Sequence, residues 1–277
     1  MGRVTTRVRR VRFDAAAGTR LSRVDTVVVE EPLEVRVGGE SVATTMRTPG
    51  DDFDLALGHL LTEGLIRSAD EVAGMMHCTD TDESGAATFN VVDVTLRPGT
   101  TLRSRPRRRT EAMTSACGVC GSETIADVRS ALPYAVSPAE PHLSPTVVAR
   151  LTDLLREGQL TFDRTGGAHA AALVDADGRT GPIREDVGRH NAVDKVIGAL
   201  AREGDPPFPD RVLVVSARAS FEIVQKAAMT GIPVVVAVGA PSSLAVDLAS
   251  DVGITLVAFA RGDTFSVYAH PDRFATD

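Results

Sequence analysis

Between residues 211 and 259 the chain alternates strictly between apolar strands and amphipathic helices, and no other feature narrows its fold as much. Residues 211–216, 232–238 and 254–259 read as strands that are apolar nearly throughout, with helices over 219–230 and 242–250 between them. A strand that is apolar on both faces needs cover on both faces, so these segments predict a parallel or mixed sheet between layers of helices. The pattern extends upstream as a helix over 147–158 and a strand over 169–174 that closes in a turn at Asp175 to Gly178. A long helix follows over 186–203, with Val193, Val196, Ile197 and Leu200 on its buried stripe.

Ahead of the proline-rich stretch 133–145 the signals differ. Residues 24–37 read as two short strands broken at Pro32, and Gly38-Gly39 as a hairpin turn. Thr48 to Asp52 opens a helix with acids in its first turn, Leu55, Leu57, Leu60 and Leu61 as its apolar positions, and Gly64 at its end. Residues 88–96 read as a strand, and a short helix begins near Ser122. The expected class is α/β: a mixed or parallel C-terminal sheet covered by helices, with a smaller β-rich N-terminal domain. The expected boundaries are a flexible leader over 1–20, an N-terminal α+β domain over 21–137 and an α/β domain over 138–277.

With 277 residues, 43% of them hydrophobic, the chain can bury an ordinary globular core. A net charge of −7, no Trp and two Tyr argue against a nucleic-acid surface. No stretch approaches the roughly 20 apolar residues of a membrane span, and the N-terminus lacks an apolar signal core. Three cysteines make no disulfide framework, so a reducing, cytoplasmic setting is expected. The arginines are clustered. Arg3, Arg7, Arg9, Arg10 and Arg12 read as a solvated tail. Arg103, Arg105, Arg107, Arg108 and Arg109 lie in a Pro-containing loop and suit an anionic ligand or acidic partner.

That loop leads to Cys117 and Cys120 in the run Ser-Ala-Cys-Gly-Val-Cys-Gly over 115–121. A structural zinc site needs four ligands. Here there is one cysteine pair, no His-x3-5-His spacing follows it, and only His77 and Cys78 remain as further donors. The zinc deaminase signature is missing as well: His169 is followed by two alanines with no Glu in place, and the cysteine pair lies upstream of it. A dithiol reductase fits in part, since a helix begins just after the pair. Sulfur transfer fits too. A persulfide-carrying cysteine must be exposed and ionised, and nearby arginines and a helix start favour the thiolate. A second thiol three residues on can assist release of the outer sulfur.

The ends of the three C-terminal strands form a second constellation. Ser216 and Arg218 follow the first, 239–243 (Gly-Ala-Pro-Ser-Ser) the second, and Arg261, Gly262, Asp263 and Thr264 the third. Ligands of open α/β sheets bind at the carboxyl ends of strands. Arg218 and Arg261 suit phosphates there, and Asp263 suits a guanine edge. Asp186, His190 and Asp194, spaced four apart, read as one strip of the long helix, with Asn191 and Lys195 projecting further out. Glu222 and Lys226 read as a surface pair.

These blocks together resemble the formate dehydrogenase accessory sulfurtransferase (FdhD) family. The resemblance rests on the cysteine run and on 48–52 leading to Glu63-Gly64. It also rests on Thr-Gly-Gly-Ala-His over 165–169, on 184–195 (Arg-Glu-Asp-Val-Gly-Arg-His-Asn-Ala-Val-Asp-Lys), and on 220–226, 239–243 and 259–263, all in the expected order. One departure is Ala217, where glycine is expected. The resemblance implies a cytoplasmic homodimer whose C-terminal part is cytidine-deaminase-like with the zinc site lost. It implies sulfur taken from a cysteine desulfurase and passed to a bis-guanylyl molybdopterin (or its tungsten counterpart) bound as substrate for the formate dehydrogenase catalytic subunit, with a guanine nucleotide as surrogate. It makes Cys117 the persulfide carrier, with Cys120 beside it, and places the cofactor at Phe259, Ala260, Arg261, Gly262, Asp263, Thr264, Ser216, Arg218 and His169, with no metal held by the protein. A non-catalytic chaperone that binds the same cofactor is the alternative.

Overall fold

The computed structural model describes residues 3–78, 88–103, 125–136 and 142–274. It begins with an antiparallel ribbon of β1 (Thr5–Asp14) and β2 (Thr19–Val28). Residues 5–14, expected within a flexible leader, are therefore a strand. The alternation of Arg with Val and Phe gives no buried-strand signal, because neither face of the ribbon is buried.

A four-stranded sheet follows, in the order β4-β3-β6-β5. β3 (Glu31–Val37) and β4 (Glu40–Arg47) form a hairpin through Gly38 and Gly39, both at positive φ, as the glycine pair predicts. Pro32 lies inside β3 and does not break it. There β3 has only β4 beside it, because pairing with β6 starts at Glu34. α1 (Asp52–Thr62) crosses to β5 (Val72–Cys78) and β6 (Val91–Leu96). α2 (Ile125–Ala131), α3 (Pro145–Glu157) and the short α4 (Leu160–Thr165) lead into the second sheet.

That sheet has six strands in the order β12-β11-β10-β9-β7-β8. β7 (His169–Asp175) and β8 (Thr180–Asp186) form a hairpin, and α5 (Arg189–Ala201) follows. β9 (Arg211–Val215), α6 (Phe221–Met229), β10 (Val234–Ala237), α7 (Ser243–Val252) and β11 (Thr255–Arg261) supply the parallel core, and β12 (Thr264–Ala269) returns antiparallel. β7 runs antiparallel to β9, so the sheet is mixed. The unbroken apolar strands are explained by their cover. Val212, Val214, Val234, Val236 and Val257 meet Leu151 and Leu155 of α3. Leu213, Val215, Val235 and Leu256 face the opposite layer, made by α5, α6 and α7.

The two sheets share one core. Leu33, Val35, Val92 and Val94 belong to the same apolar cluster as Leu60, Val193, Ile197 and Leu213. The contact runs through α1 and α5, which meet backbone to backbone. A Cβ on Gly58 would overlap the Asp194 carbonyl, and one on Gly198 would overlap the Asp54 carbonyl. Replacing Gly58 by Ala must push the helices apart, an overpacking cost of about 1–3 kcal/mol or more. In chemical denaturation Gly58→Ala is expected to lose that much, whereas Gly204→Ala, where the new methyl meets nothing, should stay within about 0.5 kcal/mol of the parent.

Candidate functional site

The carboxyl ends of β9, β10 and β11 form a shelf of three loops laid side by side. Val238 N–H donates to the Val215 carbonyl (3.1 Å), Gly239 N–H to Ala217 (3.1 Å), Ala219 N–H to Ala240 (3.1 Å) and Phe259 N–H to Gly239 (3.2 Å). Gly239 allows this closeness: a Cβ there would stand 2.9 Å from the Arg218 Cα. Ala217 is 5% exposed, so its methyl is packed inside the shelf and adds nothing to the open surface. The shelf is extended by the amino end of β7, because β7 runs antiparallel to β9. Ser216 makes that join. Its N–H donates to the Ala170 carbonyl (3.0 Å), and its hydroxyl accepts from the Ala170 N–H (2.9 Å).

Phe259 is the strained point. Its φ of 53° is left-handed, costly for a bulky residue, and its ring is half exposed, 6.4 Å from the Tyr268 ring. Ala260 is buried, and the β11–β12 register shifts between Ala258 and Arg261. Arg261 pairs with Thr264, so Gly262 and Asp263 form a two-residue hairpin tip, with Gly262 at φ 51°. Arg218, Arg261, Gly262, Asp263 and Thr264 are all exposed, and among the described residues neither arginine has an ion-pair partner. Two unpaired guanidiniums on a rigid, backbone-rich edge are suited to a phosphate ester.

His169 lies at the same edge, and burial, then the charge of Arg189, push its pKa down. The glycines before it have structural duties. Gly166 closes α4 at φ 67°, and Gly167 packs against Val28. Behind the shelf, at the starts of α5 and α6, stand Arg189, His190 and Glu222. His190 Nε2 is buried without a hydrogen bond, 3.8 Å from the Glu222 carboxylate. Burial, Lys226 and Arg189 push the pKa of His190 down to about 4. Burial opposes ionisation of Glu222, yet its own backbone N–H, the nearby Ser220 and His190 hold its pKa below the usual value.

The strip expected on α5 is corrected by the fold. Asp186 ends β8 and accepts from Lys195 (2.8 Å), Thr48 N–H (3.0 Å), Gly188 N–H (2.8 Å) and Asn191 (3.1 Å). Lys195 and Asn191 do not project outward. They are buried, and they tie α5 to Thr48 and Met46 at the end of β4. Lys226 is no surface partner of Glu222. It is buried against Asp194 (2.8 Å), with Thr62 (3.0 Å) and Glu63 (3.4 Å) completing its shell. Burial raises the pKa of Asp194, but Lys226 and His59 outweigh it and bring the value to about 2. Glu222, Lys226 and Arg189 carried no sequence signal of this, because their partners lie on other elements.

Cys117 and Cys120 fall outside the described residues, as do Arg105, Arg107, Arg108 and Arg109. The described ends of that segment lie at the opposite edge of the sheet from the shelf. Arg103 N–H donates to Leu65, beside Gly64, which packs on Met229 at the end of α6. Arg129 of α2 pairs with Asp251 near the end of α7.

The low pKa of His190 fixes a sign. Its folded value lies below the roughly 6.5 of an unfolded histidine, so the unfolded chain binds the extra proton and stability falls as pH drops from about 6.5 to 4. Below that window Asp194 takes over, its contribution lost as pH falls from about 4 to 2. In denaturation across this range, His190→Gln should flatten the upper limb and leave the lower one. An unchanged upper limb would show that His190 is already protonated in the folded chain.

Residues 28–275 match the model of the FdhD/NarQ family. A sulfur carrier protein FdhD of Streptomyces avermitilis is 50% identical over 277 residues, covering 99% of this chain and 97% of its own. One from Mycolicibacterium paratuberculosis is 51% identical over 262 residues, covering 93% and 94%. A crystal structure from Desulfotalea psychrophila, provisionally described as a formate dehydrogenase accessory protein, superposes with a TM-score of 0.74 over 99% of this chain and 100% of its own, at 22% identity. The shared architecture and the half-identical, full-length relatives agree: the chain belongs to the FdhD/NarQ family.

Proposed function

We propose that this protein is a sulfur carrier that works through a cysteine persulfide and serves formate dehydrogenase. Full-length relatives at about half identity that bear the name sulfur carrier carry this reading. In the reading, the Cys117 thiolate attacks the outer sulfur of a persulfide on a cysteine desulfurase. One S–S bond forms, one breaks, and the donor leaves as a thiolate. Attack by Cys120 on the inner sulfur then releases the outer atom as hydrosulfide and leaves a disulfide, which a thiol reductant must reopen.

The cargo in this reading is a bis-guanylyl molybdopterin bound as substrate at the shelf. What supports it is the pair of uncompensated arginines, Arg218 and Arg261, beside Asp263, a carboxylate able to accept from a guanine edge. Phe259 offers an exposed ring to a base, Ala260 and Gly262 let the backbone approach, and Thr264 and His169 add hydrogen-bonding groups. Ser216 contributes by holding β7 against β9. A cytoplasmic homodimer and a cytidine-deaminase-like descent of the six-stranded sheet belong to the same proposal. Among the described residues no helix is long and apolar enough to cross a membrane. The non-catalytic chaperone differs from this reading only in making the cysteines dispensable.

Two measurements test it. After incubation with a desulfurase and cysteine, mass spectrometry should find one added sulfur on Cys117, and Cys117→Ala should abolish transfer. Full transfer by that variant would leave the chaperone. In calorimetric titration with GDP, Arg218→Ala and Arg261→Ala are each expected to weaken binding about 10- to 100-fold, the loss of one charge-assisted contact. Undiminished binding in both would remove the cargo from the shelf.

A further inference from the structure

The β1–β2 ribbon touches the rest of the protein through the end of β2, where Val28 meets Gly167 after α4. Ten-residue strands make it about 33 Å long, and it is exposed on both faces except at Thr5 and over residues 25–28, which are half-buried. Isolated two-stranded ribbons are marginal in water. Of the eleven exposed large apolar side chains among the described residues, six are here: Val4, Val8, Val11, Phe13, Leu21 and Val24. Pairing of Val11 with Ser22 and of Arg9 with Val24 places Val11, Phe13 and Val24 on one face with Arg7, Arg9 and Arg20. The other face carries Val8 and Leu21 with Arg10, Arg12 and Arg23. Among the described residues only Arg10 of these is in an ion pair, with Asp25. Arginine beside exposed aromatic and aliphatic side chains is the composition of a protein interface.

Charge indicates what covers it. Residues 3–28 hold seven arginines against two aspartates, net +5, while the rest of the chain keeps 23 basic and 35 acidic side chains, net −12. The match to the family model begins at residue 28, after nearly all of the ribbon. We infer that the ribbon is a docking arm whose occupant is the acidic body of a second copy of this chain. Exchange of two arms across a two-fold axis buries both, satisfies both charges and closes at two copies. Among the described residues neither outer edge of the ribbon pairs with another strand, so both offer backbone N–H and C=O groups to the partner. The inference rests on the homodimer of the proposed reading and names the surface that forms it.

Sedimentation velocity of the full chain tests both, and the two failures differ. The wild type is expected to sediment as a dimer at micromolar concentration. Arg7→Glu/Arg9→Glu/Arg20→Glu and, separately, Val11→Ser/Phe13→Ser/Val24→Ser should weaken association about tenfold or more. Raising salt from about 0.1 to 0.5 M should weaken it in the same direction, as screening requires. Unchanged thermal melting confirms that the variants fold. A monomeric wild type would overturn the homodimer and the arm together. A dimer indifferent to both variants would overturn the arm alone. A photo-crosslinker in place of Phe13 supplies the independent readout. Cross-links to acidic segments of a second copy are expected, and attachment only within its own chain, or only to added formate dehydrogenase, would refute the assignment.

Discussion

Lys195 and Lys226 have exchanged water for carboxylates inside the protein, and the position of α5 between the two sheets depends on that exchange. Each ammonium is almost fully buried, and each is met by an aspartate at 2.8 Å, Asp186 for one and Asp194 for the other. Burying an ion is expensive, and a buried pair recovers the cost only when its remaining hydrogen bonds are also made. Here they are. The Thr48 carbonyl accepts from Lys195, Thr62 accepts from Lys226, and the Thr62 hydroxyl donates to Asp194. Removing one member would strand a charge at a cost of about 3–5 kcal/mol. Every one of these partners comes from α1, the end of β4, β8 or α6, so the pairs specify how four elements meet around α5. The glycine contacts at Gly58 and Gly198 permit the close approach, and the ion pairs select it. The first turn of α5, carrying Arg189 and His190, is placed behind the shelf as a consequence.

The fold was legible in the sequence where the signal is local. Continuous apolar strands declared the covered sheet because both of their faces are buried. The acidic first turn of α1 and the glycine pair of the β3–β4 hairpin are likewise local chemistry. β8, β12, β1 and the first half of β2 carry no such signal, because their faces are mixed or exposed and a half-exposed strand has no apolar run to announce it. Arg-Glu-Asp before an apolar stripe resembles a helix start, whereas the chain at Asp186 is still paired with β7. The i, i+4 rule makes Lys226 a surface residue. That rule knows nothing of which side of a helix other helices will cover. The partners of Asp194 and Lys226 on α1 lie 132 and more residues away, and no local pattern encodes them.

The shelf shows how a rigid scaffold holds an unfavourable conformation. A left-handed phenylalanine costs of the order of 1–2 kcal/mol. At Phe259 the cost is met because Ala260 is locked in the core and the Phe259 N–H is bonded to Gly239. The result is a bulge that turns the phenyl ring outward and brings Arg261 to the hairpin tip. Both arginines of the shelf are thus attached to backbone that hydrogen bonds fix on either side, as a binding constellation requires if little ordering entropy is to be lost on association.

The proposed anion site on a chain of net charge −7 is no contradiction, because charge acts over the screening length. At physiological ionic strength that length is about 8 Å, so distant acids hardly act at the shelf. What matters is which cations near it are already spent. Lys195, Lys226, Arg47 and Arg184 are each held by a carboxylate within 3 Å. Arg218 and Arg261 are not, and they are the arginines exposed at the strand ends. Asp263 stands two residues from Arg261 and lowers the attraction for a bare phosphate. The same carboxylate gains in return when a ligand brings an N–H donor along with its phosphates. In the proposed reading such an edge would favour a nucleotide over inorganic phosphate, and guanine, whose edge carries two neighbouring N–H donors, over the other bases.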